Sequence, residues 1–150
     1  MNRRLFLKGA GAAGIATFLV PQLASASIGD WPKSLMESTS YDEVKKQLAP
    51  NPTEGEIRIK APQIAENGAT VPIEIDAKSV QGNVETITIL ISSNPRPIAA
   101  SFNLKKGAVP IVGTRIKMGK SGTLTALVKT DKGTFYTDTE IKVTIGGCGG

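Results

Sequence analysis

The sequence contains no histidine and a single cysteine, Cys148, and only 5% of its 150 residues are aromatic. Without histidine there is no Ser-His-Asp triad, no Cys-His nucleophile pair and no histidine metal ligand. One cysteine excludes a cysteine zinc site and a disulfide within the chain. Carboxylate-only metal sites stay open, but no Asp-x-Asp-x-Asp-Gly loop is present. We therefore predict no catalytic residues, no metal ligands and no cofactor.

The first part of the chain has the layout of an export signal. Arg3 and Arg4 form an adjacent pair, and an apolar run of about twelve residues follows. The motif Ala24-Ser25-Ala26 is then a small-x-small cleavage site. The run is shorter than the roughly twenty residues that a spanning helix needs, which disfavours a membrane anchor. We predict that residues 1–26 are a twin-arginine (Tat) signal that is cleaved, so that the protein is periplasmic.

Cleavage changes the charge balance of the remaining chain. Removing three of the 18 basic residues and none of the 13 acidic ones lowers the formal net charge from +5 to +2. No basic excess is then left to support nucleic-acid binding. The remaining length predicts one domain that is large enough to bury a core.

A helical segment is predicted over residues 27–55. In "STSYDEVKKQLAPNP", Ser40 and Glu43 have the spacing of a capping box. Pro50 and Pro52 mark the end of the helix. Tyr41, Val44 and Leu48 fall on one face of the helix. We favour packing of this face on the domain over contact with a partner.

From Glu56 the apolar residues alternate with a period of two. The alternating runs cover residues 57–61, 70–76, 84–92, 99–104, 114–118, 123–129 and 135–145, and turn signals separate them. Pro72 indicates an edge strand or a strand start. This pattern predicts an all-β, antiparallel β-sandwich of about seven strands over residues 56–145, with Ile145 at the last position of the alternation. Since no Cys-Trp-Cys pattern is present, any immunoglobulin-like character is architectural.

The last five residues, Gly146, Gly147, Cys148, Gly149 and Gly150, carry one functional group between them. Glycine has the most conformational freedom, so we predict a mobile arm over residues 146–150. Five extended residues span roughly 17 Å. The thiol would then be the reactive tip of a narrow arm.

Three interpretations of this arm compete. It is an incidental frayed tail, a disulfide that links two copies, or a covalent carrier that other proteins load and unload. An exposed thiol is a liability in an oxidising compartment, and a glycine linker restrains a dimer poorly. We favour the carrier, with the thiol activated inside a partner's pocket. The alternative is an exported β-sandwich binding module that is disulfide-linked through Cys148.

Three stretches resemble the SoxY family, the sulfur-carrier subunit of the periplasmic thiosulfate-oxidising (Sox) system: "KVTIGGCGG", "APQIAENGATVPIEI" and "NPRPIAASFNL". The resemblance implies an immunoglobulin-like sandwich that forms a heterodimer with a second sandwich protein, SoxZ. It also implies that Cys148 holds sulfur intermediates as covalent adducts, and that the chain is a carrier and not an enzyme.

The same resemblance implies a set of transient partners. The c-type cytochrome SoxAX joins thiosulfate to the thiol oxidatively, and the dimanganese hydrolase SoxB releases sulfate. The sulfane dehydrogenase SoxCD, where it is present, oxidises the sulfur that remains. The resemblance implies no cofactor on the chain itself.

Overall fold

The computed structural model describes residues 32–146, in which two short helices precede a series of strands. No helix in this range has the length and apolarity needed to cross a membrane. The elements are α1 Lys33–Glu37, α2 Tyr41–Leu48, β1 Thr53–Glu54, β2 Arg58–Lys60, β3 Ile64–Ala65, β4 Val71–Asp76, β5 Val84–Ile91, β6 Ile98–Asn103, β7 Ile111–Ile116, β8 Gly122–Thr130 and β9 Gly133–Val143.

The strands form two sheets that share one core, which confirms the predicted all-β sandwich. The larger sheet has the order β1-β9-β8-β5-β6, and the smaller has the order β2-β4-β7. All seven predicted runs are strands, and the ladders between them are antiparallel. The two-residue strands β1 and β3 were not predicted, and both pair with β9 in parallel.

Strand β5 is buried on both faces. Ile87, Ile89 and Ile91 point into the core between the sheets and have no exposed surface, as the alternation predicts. On the opposite face, Leu90 belongs to a second cluster that also contains Leu127 of β8. This second cluster forms because α2 covers the outer face of the larger sheet.

Helix α2 packs on the sheet through its predicted apolar face. Val44 is fully buried against the second cluster, and Tyr41 and Leu48 are packed around it. The Tyr41 hydroxyl lies 2.5 Å from Thr125 Oγ1, and the Thr125 hydroxyl donates to Asp138. The helix is therefore a packing element of the domain, which confirms the favoured interpretation.

The predicted capping box forms only in part. The Glu43 N–H donates to Ser40 Oγ at 3.3 Å, as in an N-cap. The Glu43 carboxylate, however, accepts from Gln47 Nε2, and the Ser40 N–H donates to Ser38 Oγ instead. The reciprocal half of the box is absent because both of its groups have other partners.

Two strand boundaries differ from the sequence pattern, because β7 spans Ile111–Ile116 where residues 114–118 were predicted, and β9 ends before residue 145. Strand β9 ends at Val143, two residues before the last position of the alternating pattern, and the residue surface of Ile145 is 68% exposed. The antiparallel partner of β9 gives the reason, because β8 begins at Gly122 opposite Ile141. Pro72 is the second residue of β4, and β2 pairs only with later residues of that strand. This position agrees with the prediction that Pro72 marks a strand start.

Asp131, in the hairpin between β8 and β9, is expected to make the stability of the protein depend on pH. Asp131 accepts from the Asn83 N–H at 2.8 Å and from Asn83 Nδ2 at 2.9 Å. The backbone N–H is the main reason that the pKa of Asp131 lies below its ordinary value of 3.8. A lowered pKa in the folded state stabilises the protein above the unfolded-state pKa, and this stabilisation is lost as the pH falls through the folded-state pKa.

We therefore expect Asp131→Ala to lower the urea midpoint at pH 7 and to have a shrinking effect below about pH 4. Urea unfolding of both proteins across this pH range measures the difference. A difference that stays constant from pH 7 into strong acid would contradict the assignment.

Candidate functional site

The predicted site residues fall almost entirely outside the described range. Cys148, Gly147, Gly149 and Gly150 lie beyond it at one end, and Arg3 and Arg4 of the predicted signal lie before it at the other. Gly146 is described. The geometry of the site is therefore that of the segment Thr144–Gly146, named here the arm root, from which the chain continues to Cys148.

The arm root is held by the segment that contains β3. The Lys142 N–H donates to the Gln63 carbonyl at 2.9 Å, and the Thr144 N–H donates to the Ala65 carbonyl at 3.0 Å. In return, the Gly68 N–H donates to the Ile145 carbonyl at 2.7 Å. Backbone hydrogen bonds thus continue past the end of β9 and hold the chain as far as Ile145.

Gly146 lies directly against Gly119. A Cβ atom built on Gly146 would overlap the Gly119 carbonyl oxygen, at a separation that real Cβ atoms do not reach. The sequence predicts a glycine here for mobility, whereas the structure requires one because the two backbones meet. Gly146 is therefore a contact residue at the base of the predicted arm.

Asn94 holds the loop that presents Gly119. Its Nδ2 donates to the Lys117 carbonyl at 2.7 Å, and its Oδ1 accepts from the Gly119 N–H at 3.1 Å. Only 8% of its surface is exposed, so these bonds are shielded from water. The loop is also tied to β9, since the Val143 N–H donates to Ser121 Oγ at 2.8 Å.

Sequence analysis did not identify Asn94 or Gly119 as part of the site. Asn94 lies in the turn between β5 and β6, and Gly119 lies in the turn before β8. Turns commonly contain both residue types, so their composition carries no signal of a site. Only the topology brings both turns to the end of the sandwich where β9 ends.

The surface around the arm root is both apolar and basic. Ile64 on β3 and Ile145 are exposed by 60% and 68%. Lys117 and Lys120, on either side of Gly119, are exposed as well. The two carboxyl groups with lowered pKa values, Asp76 and Asp131, lie at the opposite end of the sandwich, where β4 and β8 end.

The described side chains include no candidate metal site and no buried polar atom without a hydrogen-bond partner. Within residues 32–146, no group of three or more His, Cys, Asp or Glu side chains is placed to hold a metal ion. Every buried side-chain nitrogen or oxygen in that range has a hydrogen-bond partner. The arrangement at the arm root can therefore position a chain segment and offer a surface.

A family model and a solved structure show which proteins this chain is similar to. The family model of the sulfur oxidation protein SoxY matches residues 42–148, a span that includes Cys148. The structure of the sulfur carrier protein SoxY from Chlorobium limicola f thiosulfatophilum is 32% identical, and the match covers 69% of this chain and 96% of that chain with a TM-score of 0.59.

A crystal structure of an engineered protein is 14% identical over 63% of this chain and 21% of its own, and its TM-score of 0.42 carries no argument. No curated protein matches the sequence. The SoxY match begins in α2 and continues through both sheets, so it covers the whole sandwich. The family resemblance that the sequence motifs indicated is confirmed, and this chain belongs to the SoxY family of sulfur oxidation proteins.

Proposed function

We propose that this chain carries the sulfur intermediates of thiosulfate oxidation, bound covalently to the thiol of Cys148 and presented to partner enzymes. The observation that carries the proposal is the SoxY family match, which extends along the chain as far as Cys148. The solved relative is described as a sulfur carrier protein, which agrees with this role. The absence of histidine and of a second cysteine leaves this thiol as the natural point of attachment.

The arm root supports the proposal by giving the thiol a defined starting point. Gly146 contacts Gly119, and Cys148 follows two residues later. Two fully extended residues span about 7 Å, so the Cα atom of Cys148 stays within that distance of the Gly146 Cα atom. A partner that accepts the thiol in a slot meets glycine on both sides of it, which keeps the inserted segment narrow.

The proposed chemistry needs the thiolate form of Cys148. A free cysteine has a pKa near 8.5, so only a small fraction is ionised at neutral pH. Loading joins the Cys148 sulfur to the outer sulfur of thiosulfate, and two electrons leave to a c-type cytochrome such as SoxAX. Hydrolysis of the terminal sulfonate by a SoxB-like dimanganese enzyme consumes water, releases sulfate and leaves a persulfide on Cys148. In this scheme the partners are the catalysts.

The same proposal includes a location and a stable partner. Export through the twin-arginine signal of Arg3 and Arg4 brings the carrier to the periplasm, where the Sox enzymes act. A SoxZ-like sandwich subunit forms a heterodimer with the carrier, and a SoxCD-like dehydrogenase oxidises the persulfide where that enzyme is present.

The intact mass of the mature protein tests the proposal. We expect protein purified without reductant from cells grown with thiosulfate to contain species heavier by whole sulfur atoms or by a sulfonate group. Reductant should remove the added mass, because every adduct is attached through a sulfur–sulfur bond. Cells grown without thiosulfate provide the comparison culture.

The Cys148→Ser protein serves as the matched control and should show a single unmodified mass. A wild-type protein with the same unmodified mass in both cultures, or with only a disulfide-linked dimer, would contradict the carrier role. That result would favour an exported binding module linked through Cys148.

A further inference from the structure

Four exposed basic side chains surround the arm root, at the end of the sandwich where β9 ends. Lys117 and Lys120 flank Gly119, whose carbonyl oxygen meets Gly146. Arg96 follows Asn94 in the turn that holds this loop, and Lys142 lies on β9 just before the root. These four residues, Arg96, Lys117, Lys120 and Lys142, are named here the basic collar.

None of the collar side chains forms an ion pair with another residue in the described range 32–146. The ion pairs found there join Lys33 to Glu37, Lys45 to Asp138, Lys60 to Glu74, Lys78 to Asp76 and Lys129 to Glu85. At the collar end, the exposed acidic residues are Glu66 and Glu140, which is fewer than the basic ones. The collar end therefore carries an excess of positive charge, which its two exposed carboxylates offset only in part.

The short tether brings any recipient of the thiol against the collar. Since Gly146 is seated on Gly119, the Cα atom of Cys148 lies within about 7 Å of that contact. A protein that encloses the Cys148 side chain must therefore approach the loop that contains Lys117 and Lys120. The exposed Ile64 and Ile145 lie at the same place and offer an apolar centre for the contact.

We propose that the basic collar is a docking surface for the acidic rim of the partner enzymes that receive Cys148. The inference rests on the proposed carrier function and adds the chemistry of the recognition surface to it. Ile64 and Ile145 contact the apolar mouth of the partner's slot, and the four cations face carboxylates around it. One surface of this kind suits several partners in turn, because complementary charge speeds encounter without requiring one tightly fitted interface.

Charge reversal in the collar, compared with the same reversal at the far end, tests the proposal. The collar variant is Lys117→Glu with Lys120→Glu, and the control is Lys105→Glu with Lys106→Glu in the exposed turn after β6. Both variants change the net charge equally. The collar variant should fold, because Asn94 and Ser93 bond to the carbonyl groups of Lys117 and Lys120 and not to their side chains.

Each carrier, purified with its partner subunit, is loaded without enzyme by tetrathionate. The Cys148 thiolate displaces thiosulfate, which leaves a thiosulfonate on the cysteine sulfur. The measured quantity is the kcat/KM of sulfate release by the SoxB-like hydrolase at several salt concentrations. We expect the collar variant to lose about tenfold or more at low salt and the control less than about twofold. The wild-type rate should fall with salt more steeply than the rate of the collar variant.

Three outcomes would overturn the proposal. Equal effects of the two double variants would show a response to net charge alone. A collar variant that is slow only in loading by tetrathionate would show that the collar acts on the anionic sulfur compound and not on the enzyme. A loaded wild-type carrier from which the hydrolase releases no sulfate would refute the carrier function itself, a result distinct from the other two.

Discussion

The Cys148→Ser protein is expected to support no sulfate formation from thiosulfate, while its free energy of unfolding stays unchanged. The loss should be complete because serine oxygen cannot form the sulfur–sulfur bond that holds every proposed intermediate. Stability should be preserved because the described residues already form two closed hydrophobic clusters in which every buried side-chain polar atom has a hydrogen-bond partner. Sulfate release by a reconstituted set of Sox enzymes and urea unfolding measure the two quantities.

A matched variant shows whether the thiol must lie on the C-terminal arm. Ser121→Cys places a new thiol in the loop near the arm root, where Ser121 is exposed, and is combined with Cys148→Ser. We expect no recovery of sulfate formation, because the new thiol lies in a loop that is packed beside β9 and has no arm that could carry it into a slot. Sulfate formation by the Cys148→Ser protein at the wild-type rate would refute covalent attachment at this residue.

The second large effect is expected from Asn94→Ala, which should destabilise the fold by about 2 kcal/mol or more. The change removes the side-chain amide that bonds to two backbone groups of the loop. The Lys117 carbonyl loses its donor, and the Gly119 N–H loses its acceptor. Because Gly119 contacts Gly146 at the base of the arm, we also expect the bound sulfur group to react more slowly with partner enzymes. Urea unfolding measures the first effect, and sulfate release from a loaded carrier measures the second.

Asn83→Ala is the control for this prediction. Asn83 is exposed at the opposite end of the sandwich, and its side-chain Nδ2 donates one hydrogen bond to the Asp131 carboxylate. Loss of an exposed hydrogen bond costs little, because water replaces it. The proposed role of Asn94 fails if both alanine variants unfold at similar urea concentrations, or if Asn94→Ala transfers sulfur at the wild-type rate.

Features with local causes could be predicted from the sequence. The alternation of Ile87, Ile89 and Ile91 marks a core face, and all three are fully buried. The glycine-flanked Cys148 is likewise visible as a motif, and it led to the family that the comparisons confirm. In each case neighbouring residues carry the information, so no knowledge of the tertiary fold is needed.

Features that depend on distant residues could not be predicted. The strands β1 and β3 contain two residues each, too few for a periodic pattern, and they form because β9 offers a free edge. The contact between Gly146 and Gly119 joins turns from different parts of the chain. Ile145 is exposed because β8 begins opposite Ile141 and does not extend as far as residue 145. The alternation of residues in β9 carries no information about where β8 begins.

The contact of Gly146 with Gly119 also sets the local concentration of the thiol that a docked enzyme would meet. A tether of two residues confines the Cα atom of Cys148 to a hemisphere with a radius of about 7 Å. One group in such a volume corresponds to an effective concentration on the order of 1 M, and each added residue dilutes it. A reaction that would need two molecules to meet in solution thus becomes nearly intramolecular after docking. Release of Gly146 from its seat would lower this concentration without altering the thiol.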